Sequence, residues 1–397
     1  MLKKEKGSYN STIITMKYIY RPFRDLFLQL FPISINQSEY RYGFLIHPRD
    51  EKDVQTKYPF LKYVPKRCIR FFTRWYWPIV VTKITGLKDS TTDENIDGYI
   101  LSIPLITEQI LHNRKLAVKR IRQAIILAKR MGIKIIGLGA LTASVTKGGE
   151  DVLDIPGIWV TTGHAYTGYN VTRNLFDLEK KLNIDKDTET IGIVGAAGSI
   201  GSISANIIVR NGYKKLLLVD VQRKSDRVEE LADELKNLYP ETHIDIRYDI
   251  GAIKDADFII AATNTPEALI TNAVLKPGAV VIDDAQPSDV AFEVLERDDV
   301  MAIEAGVVST PGICSNFNLG LKDPFDNFCC MAEVLILASH KWKSNFVIKR
   351  TTLKFVDTIA EMGKPLNFTV AKFQNRKESI SEEKLNVIAR VREQNKK

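Results

Sequence analysis

The chain has 397 residues, 45% hydrophobic and 26% charged, the balance of a globular protein of two or three domains rather than of a disordered or membrane-spanning one. No apolar run reaches bilayer length, no apolar stretch follows the basic start "MLKKEKGSYNST", and the four cysteines lack CxxC or framework spacing. A secretory leader, a disulfide scaffold and a bound transition metal are therefore not expected, and a reducing cytoplasm is. The net charge of +8 favours anionic partners such as phosphorylated cofactors, an acidic protein or a membrane surface, though it serves solubility equally well.

Residues 1–40 read as an N-terminal extension. Within it Phe23, Leu26, Phe27 and Leu30 recur at helical spacing for one face. An N-terminal α/β domain is expected over 41–185. It opens on "YGFLIHPRD" and holds "GYILSIPL", a long helix from about Asn113 to Met131, the strand "IKIIGLG", the turn "ALTAS" and the strand "GIWVTTG". This alternation implies a parallel sheet with helices on its faces. A helix from about Tyr166 to Leu182 leads out, and "NIDKDTET" reads as a linker. In "KRCIRFFTRWYW", Cys68, Phe71, Phe72 and Trp75 share one helical face, and the simpler expectation is that this face turns to the core while the arginines snorkel. The alternative is an interfacial helix near lipid. Nucleic acid is not expected, because no RNA- or DNA-binding module accompanies the mixture.

Six short β-rich runs follow over 186–310: "TIGIVGA", "KLLLVD", "HIDIRYD", "DFIIAAT", "AVVIDDA" and "VMAIEAG". With helical crossovers between them they predict a Rossmann-type doubly wound dinucleotide-binding domain. Residues 311–397 read as a helical C-terminal segment, containing "FDNFCCMAEVLILASHKW" and "LKFVDTIAEMGK". The fold class is thus α/β in two domains, with an extension and a helical tail.

The sharpest local signal is "IGIVGAAGSIGS", in which Gly195, Gly198 and Gly201 follow a strand and open a helix. Such glycines allow the tight turn, the approach of backbone to a pyrophosphate and close helix–strand packing, and the phosphates would lie on the helix start at Ser199 and Ile200. Asp220 ends the second run and suits the adenosine ribose, which points to NADH. Arg223, Lys224 and Arg227 stand just beyond it and suit a 2′-phosphate, which points to NADPH. Thr263 and Gly306, at the ends of later runs, complete the expected cofactor contacts.

Taken in order, these motifs resemble those of the long-chain acyl-[acyl-carrier-protein] reductases, which form fatty aldehydes. "GLGALTAS", "TTGHAYT", the glycine loop, "AGVV" at Ala305–Val308 and "FCCMAEVLIL" each have a counterpart, over most of residues 42–370. His164 stands where that family has Asn, and Asp220 where its NADPH-using members are not acidic. The resemblance implies NADPH as cofactor with NADH as the alternative, and a fatty acyl thioester on acyl carrier protein or coenzyme A as substrate. It assigns the acyl-accepting cysteine to Cys330 rather than Cys329. Thr162 and Gly163 would lie on the substrate side, and His164 is the candidate acid–base by its position in the motif.

Independently of the resemblance, Cys330 is expected in the first turn of a helix capped by Asp326 or Asn327, where unpaired N–H groups stabilise a thiolate. The same spacing puts Cys330, Val334 and Leu337 on one face, which also suits a core thiol. Two other functional classes remain at this stage. One is a shikimate- or amino-acid-dehydrogenase-like oxidoreductase with direct hydride transfer. The other is a nucleotide-binding sensor without turnover. Peripheral membrane contact is a further expectation, on the aromatic–basic stretch.

Overall fold

The computed structural model describes residues 20–31, 39–265 and 267–395; the rest of the expected N-terminal extension lies outside them. The chain divides into two compact units. The first comprises residues up to Gly163 with Gly312–Pro324 and Val334–Lys349. The second comprises His164–Pro311, Phe325–Glu333 and Arg350–Lys397.

The first unit contains a helix over residues 20–30 (α1), then β1 (Arg41–Ile46), α2 (Glu51–Lys57), α3 (Lys66–Trp75), β2 (Ile79–Thr85), β3 (Asp97–Ser102), α4 (Thr107–His112), α5 (Arg114–Arg130), β4 (Ile133–Leu138), α6 (Leu141–Val145) and β5 (Trp159–Thr161). Strands β3, β1, β4 and β5 run parallel, as the alternation of strands and helices predicts, whereas β2 pairs antiparallel with β3. The sheet is therefore mixed. The "ALTAS" segment is the short helix α6 rather than a turn. One apolar side of the sheet is closed by α5, whose Ala117, Ile121, Ala124 and Ile125 are buried against Leu45, Leu101 and Ile136.

The orientation of α3 reverses the simpler expectation. Its buried residues are Ile69 and Thr73, while Phe71, Phe72 and Trp75 are 61%, 63% and 67% exposed. Helical spacing identifies residues that share a face, and here that face points to solvent.

The second unit begins with α7 (His164–Leu182). It continues through β6 (Thr190–Val194), α8 (Ser199–Arg210), β7 (Lys215–Val219), α9 (Ser225–Leu238), β8 (His243–Arg247), β9 (Phe258–Ala261), β10 (Val280–Asp283) and β11 (Met301–Glu304). These six strands are the six predicted runs, and all pair in parallel in the order β11-β10-β9-β6-β7-β8. That is the doubly wound dinucleotide-binding order. Both sheet faces are buried, so residues alternate between two cores along a strand. On β7, Leu216 and Leu218 face α7 and α8, whereas Leu217 and Val219 join the opposite core with Ile259 and Val281.

Past β11 the chain forms β12 (Val307–Ser309), β13 (Cys314–Ser315), β14 (Asp326–Phe328), α10 (Cys329–Ser339), α11 (Leu353–Gly363), β15 (Thr369–Val370) and α12 (Glu382–Asn395). Residues 311–397, read from the sequence as a helical C-terminal segment, hold α10, α11 and α12 together with β13, β14 and β15, and divide between the two units. β13 pairs with β2 in the first unit, and β14 and β15 flank β12 in the second. The helix expected from "DPFDN" starts later, because Asn327 pairs with Val308 as strand. Helix α10 then opens directly at Cys329, which leaves Cys330 in the first turn. Among the described residues no helix is long and apolar enough to cross a membrane.

Candidate functional site

The glycine loop joins β6 to α8. Gly195 has φ +85°, a left-handed turn that a side chain would strain. A Cβ on Gly201 would stand 2.3 Å from the Gly195 oxygen, so only glycine lets α8 approach the loop. Gly198 is the N-cap of α8, and no side chain caps that helix. Its first N–H groups, Ile200 among them, lie at the positive end of the helix dipole. The Ser199 hydroxyl is buried and has no hydrogen-bond partner among the described residues. A buried hydroxyl beside uncapped amides fits an anionic oxygen, so this loop suits the pyrophosphate of a dinucleotide.

Asp220, just after β7, is turned inward. Its carboxylate accepts from the Ala197 amide at 2.9 Å and from the Val221 amide at 2.8 Å, and it pairs with Lys224 Nζ at 3.1 Å. Arg223 is exposed beside it. The acid at the ribose position is thus partly committed to the loop and partly neutralised by Lys224. Thr263, after β9, donates from Oγ1 to Asp289 at 2.6 Å and from its amide at 3.2 Å, which fixes that strand end.

At the end of β10 stand three carboxyl groups that composition alone does not mark. Asp283 accepts from Ser288 and from the amides of Ala285 and Asp289. Burial pushes it up to about 7. Burial and the neighbouring Asp283 and Asp289 raise Asp284 well above the ordinary carboxylate range, and burial raises Asp289 too. A Cβ on Gly306 would stand 2.5 Å from Asp284 Oδ1, so Gly306 admits this carboxyl, and its own oxygen accepts from the Cys329 amide at 2.9 Å. The acids, Gly306 and the cysteine pair are therefore neighbours in the second unit, at the strand ends where ligands of open α/β sheets gather. The sequence signal for the acids was the pair "DD" closing a buried strand.

The two cysteines have different surroundings. Cys329 is 1% exposed. Asn170 Nδ2 donates to its sulfur at 2.9 Å and to Val307 O at 3.0 Å. Burial, then the nearby Asp284, raises the Cys329 thiol well above its usual range. Cys330 is partly exposed and occupies the second position of α10. One turn on, buried Glu333 accepts from the Tyr166 amide at 2.9 Å. The contacts Asn170–Cys329 and Tyr166–Glu333 run in opposite order along α7 and α10, so the two helix starts lie antiparallel. Neither Asn170 nor Glu333 stands out in the sequence, the first lying among other polar residues of α7 and the second inside an apolar helical run.

His164 is the first residue of α7. The residue is partly exposed, but its Nδ1 is buried and has no hydrogen-bond partner among the described residues. Burial lowers its pKa to about 4, so the ring is neutral near pH 7. Thr162 and Gly163 belong to the first unit. There the Thr162 amide and hydroxyl both donate to Val347 O at 3.2 Å, and Gly163 turns with φ +81°. His340, just past α10, has Nδ1 within hydrogen-bond distance of the Ser339 hydroxyl at 2.9 Å and of Ile336 O, an acceptor, at 3.0 Å, and it stays ten residues from Cys330. Among the described residues no cluster of His, Cys, Asp or Glu is arranged to hold a metal.

Residues 177–305 match the family model for shikimate / quinate 5-dehydrogenase. The chain is 26% identical over 282 residues to aminotransferase PigE of a Serratia species, covering 69% of this chain and 32% of that protein. It is 27% identical over 308 residues to the long-chain acyl-[acyl-carrier-protein] reductase of Synechococcus elongatus, covering 72% of this chain and 85% of that one. Among solved structures, the quinate dehydrogenase of Corynebacterium glutamicum in complex with NAD is 13% identical, covers 83% of this chain and 100% of its own, and has a TM-score of 0.36. The chain spans about a third of the length of the Serratia relative. The family match, the reductase relative and the loop geometry support an NAD(P)-dependent oxidoreductase.

Proposed function

We propose that this protein reduces a fatty acyl thioester to an aldehyde with NADPH, through an acyl group held on Cys330. The observation that carries the proposal is the contrast within the cysteine pair. Cys329 is buried, hydrogen-bonded and held protonated, whereas Cys330 is partly exposed in the first turn of a helix. Helix-start amides favour a thiolate, and a thiolate is the acyl acceptor such chemistry needs.

In this reading the Cys330 thiolate attacks the acyl carbonyl and expels the carrier thiolate, which takes a proton. A C–S bond to Cys330 forms as the carrier's C–S bond breaks. Reduced nicotinamide supplies a hydride to the same carbon when bound. The resulting thiohemiacetal on Cys330 collapses to aldehyde and regenerates the thiolate. The net change consumes one thioester, one NADPH and one proton. Asp284, whose carboxyl is raised well above the ordinary carboxylate range by burial and by its acidic neighbours, is suited to act as the acid that supplies this proton. His164 is neutral and suited to hydrogen-bond the substrate side rather than to act as an imidazolium acid. The carrier is acyl carrier protein or coenzyme A, both anionic and both suited to a chain of net charge +8.

Mass spectrometry of the protein mixed with acyl thioester, without cofactor, tests this. An acyl adduct on the peptide bearing Cys330, chased to aldehyde by NADPH, is the expected result. Cys330→Ala should lose both adduct and aldehyde while retaining cofactor binding. A Cys330→Ala protein that still turns over at near the parent rate would favour direct hydride transfer, the chemistry of the shikimate / quinate 5-dehydrogenases whose family model matches the dinucleotide domain.

A further inference from the structure

We propose that the outer surface formed by α1 and α3 is a docking face for an anionic lipid bilayer. The inference does not depend on the reaction proposed above. It starts from two helices that each turn an apolar side outward. On α3, Phe71 and Trp75 rings lie 6.5 Å apart and Phe71 and Phe72 rings 5.8 Å apart, all exposed. On α1, Phe23, Phe27 and Leu30 are exposed, while Leu28 and Asp25 are buried. The two are held side by side. Trp77 donates from its indole to Pro22 O at 2.7 Å and its ring lies 5.8 Å from Phe23, and Leu26, Leu30, Trp75 and Trp77 line one depression. Soluble monomers rarely expose a contiguous apolar patch of this kind unless it binds something.

Charge selects the occupant. No Asp or Glu occurs between Asp53 and Asp89, a stretch with eight Lys or Arg. The one acid of α1, Asp25, is buried, paired with Arg24 and bonded to the Val80 amide. At about 100° per residue, α3 has three sectors: Ile69 and Thr73 inward, Phe71, Phe72 and Trp75 outward, and Arg67, Arg70 and Arg74 along one flank. Arg70 is tied to Glu51 and Glu108; Arg67 and Arg74 have no carboxylate partner among the described residues. Aromatic residues flanked by cations are the pattern of a helix lying in a membrane interface, where rings enter the headgroup boundary and cations meet anionic lipid. A second copy is a poor occupant, because a two-fold contact would set the arginine flank near its own symmetry mate. An acidic protein would answer the cations but leaves the aromatic sector unexplained.

Flotation of the full-length protein with vesicles of phosphatidylcholine, with and without phosphatidylglycerol, tests the proposal. The protein should float with the anionic vesicles, far less with the neutral ones, and less as salt rises. Phe71→Ser with Trp75→Ser should weaken binding at least about tenfold, given the apolar area withdrawn. Arg67→Gln with Arg74→Gln should remove the preference for phosphatidylglycerol. These positions are exposed, so melting temperature and NADPH binding should match the parent and certify the fold. Absence of flotation with anionic vesicles, unchanged binding in the Phe71/Trp75 variant, or a dimer in light scattering that this variant disperses would each overturn the proposal.

Discussion

Asn170 donates its side-chain amide to the Cys329 sulfur at 2.9 Å, so α7 grips one cysteine of the pair and leaves its neighbour to face elsewhere. Adjacent residues on a helix point about 100° apart, which is why two identical side chains in sequence have different chemistry here. Cys329→Ala should cost about 1–2 kcal/mol of stability through lost packing and an unpaired amide, yet retain most turnover. Peptide mapping after brief iodoacetamide treatment of the native protein should find Cys330 alkylated and Cys329 protected. Alkylation of Cys329 before Cys330 would contradict the assignment.

Cofactor preference should hinge on Lys224. Its ammonium pairs with Asp220, and without it the carboxylate would meet a 2′-phosphate uncompensated. Lys224→Ala is therefore expected to lower kcat/KM for NADPH by about tenfold, roughly 1.4 kcal/mol, and to change NADH little. Asp220→Ala should move the ratio the other way. Equal losses with both cofactors would place Lys224 outside the adenosine site.

Much of this was legible in the sequence. Five of the six strands of the second unit are short apolar runs, which burial of both sheet faces makes legible once the crossovers are counted, while β8, at the sheet edge, alternates polar and apolar residues. The glycine loop was legible because its three glycines each answer a local contact. Other features depend on what packs against what. Period identified the aromatic face of α3 but not its direction, which depends on the rest of the chain that buries Ile69 and Thr73. The cap expected at Asp326 or Asn327 gave way to pairing with β12, a contact with residues about twenty positions earlier. The "DD" of Asp283 and Asp284 reads as a polar strand end, and only three-dimensional burial raises both carboxyls above the ordinary carboxylate range.

Two groups should give opposite slopes to stability against pH. Asp283 has a folded pKa raised from 3.8 to about 7. Its contribution is fully present below the unfolded value and is lost as pH rises through the folded one. His164 is lowered from 6.5 to about 4, so its contribution is present above 6.5 and is lost as pH falls through about 4. The two partly cancel between those limits. Asp283→Asn should make the slope of melting temperature against pH more positive, and His164→Gln should make it more negative. Variants that shift the slope together, or not at all, would show that these groups are not buried in the folded protein as described.

The glycine loop separates a ligand role from a packing role, and two substitutions read them apart. Among the described residues the buried Ser199 hydroxyl has no partner, so the free protein gains no protein hydrogen bond from it. Removing a buried unsatisfied hydroxyl is neutral or slightly stabilising. If an anionic oxygen of a dinucleotide takes that hydroxyl, the loss appears only with ligand. Ser199→Ala should thus keep the melting temperature of the free protein and weaken NADPH binding about tenfold by calorimetry, a conventional charge-assisted hydrogen bond. Gly201 is different, because a Cβ there would stand 2.3 Å from the Gly195 oxygen, a backbone atom that cannot swing aside. The start of α8 must then lift from β6 and carry its uncapped amides with it. Gly201→Ala should lower the melting temperature of the free protein and lose NADPH binding together. Should Ser199→Ala lower stability as much as Gly201→Ala, the hydroxyl would be structural and the loop's fit to a pyrophosphate would have to rest on its backbone alone.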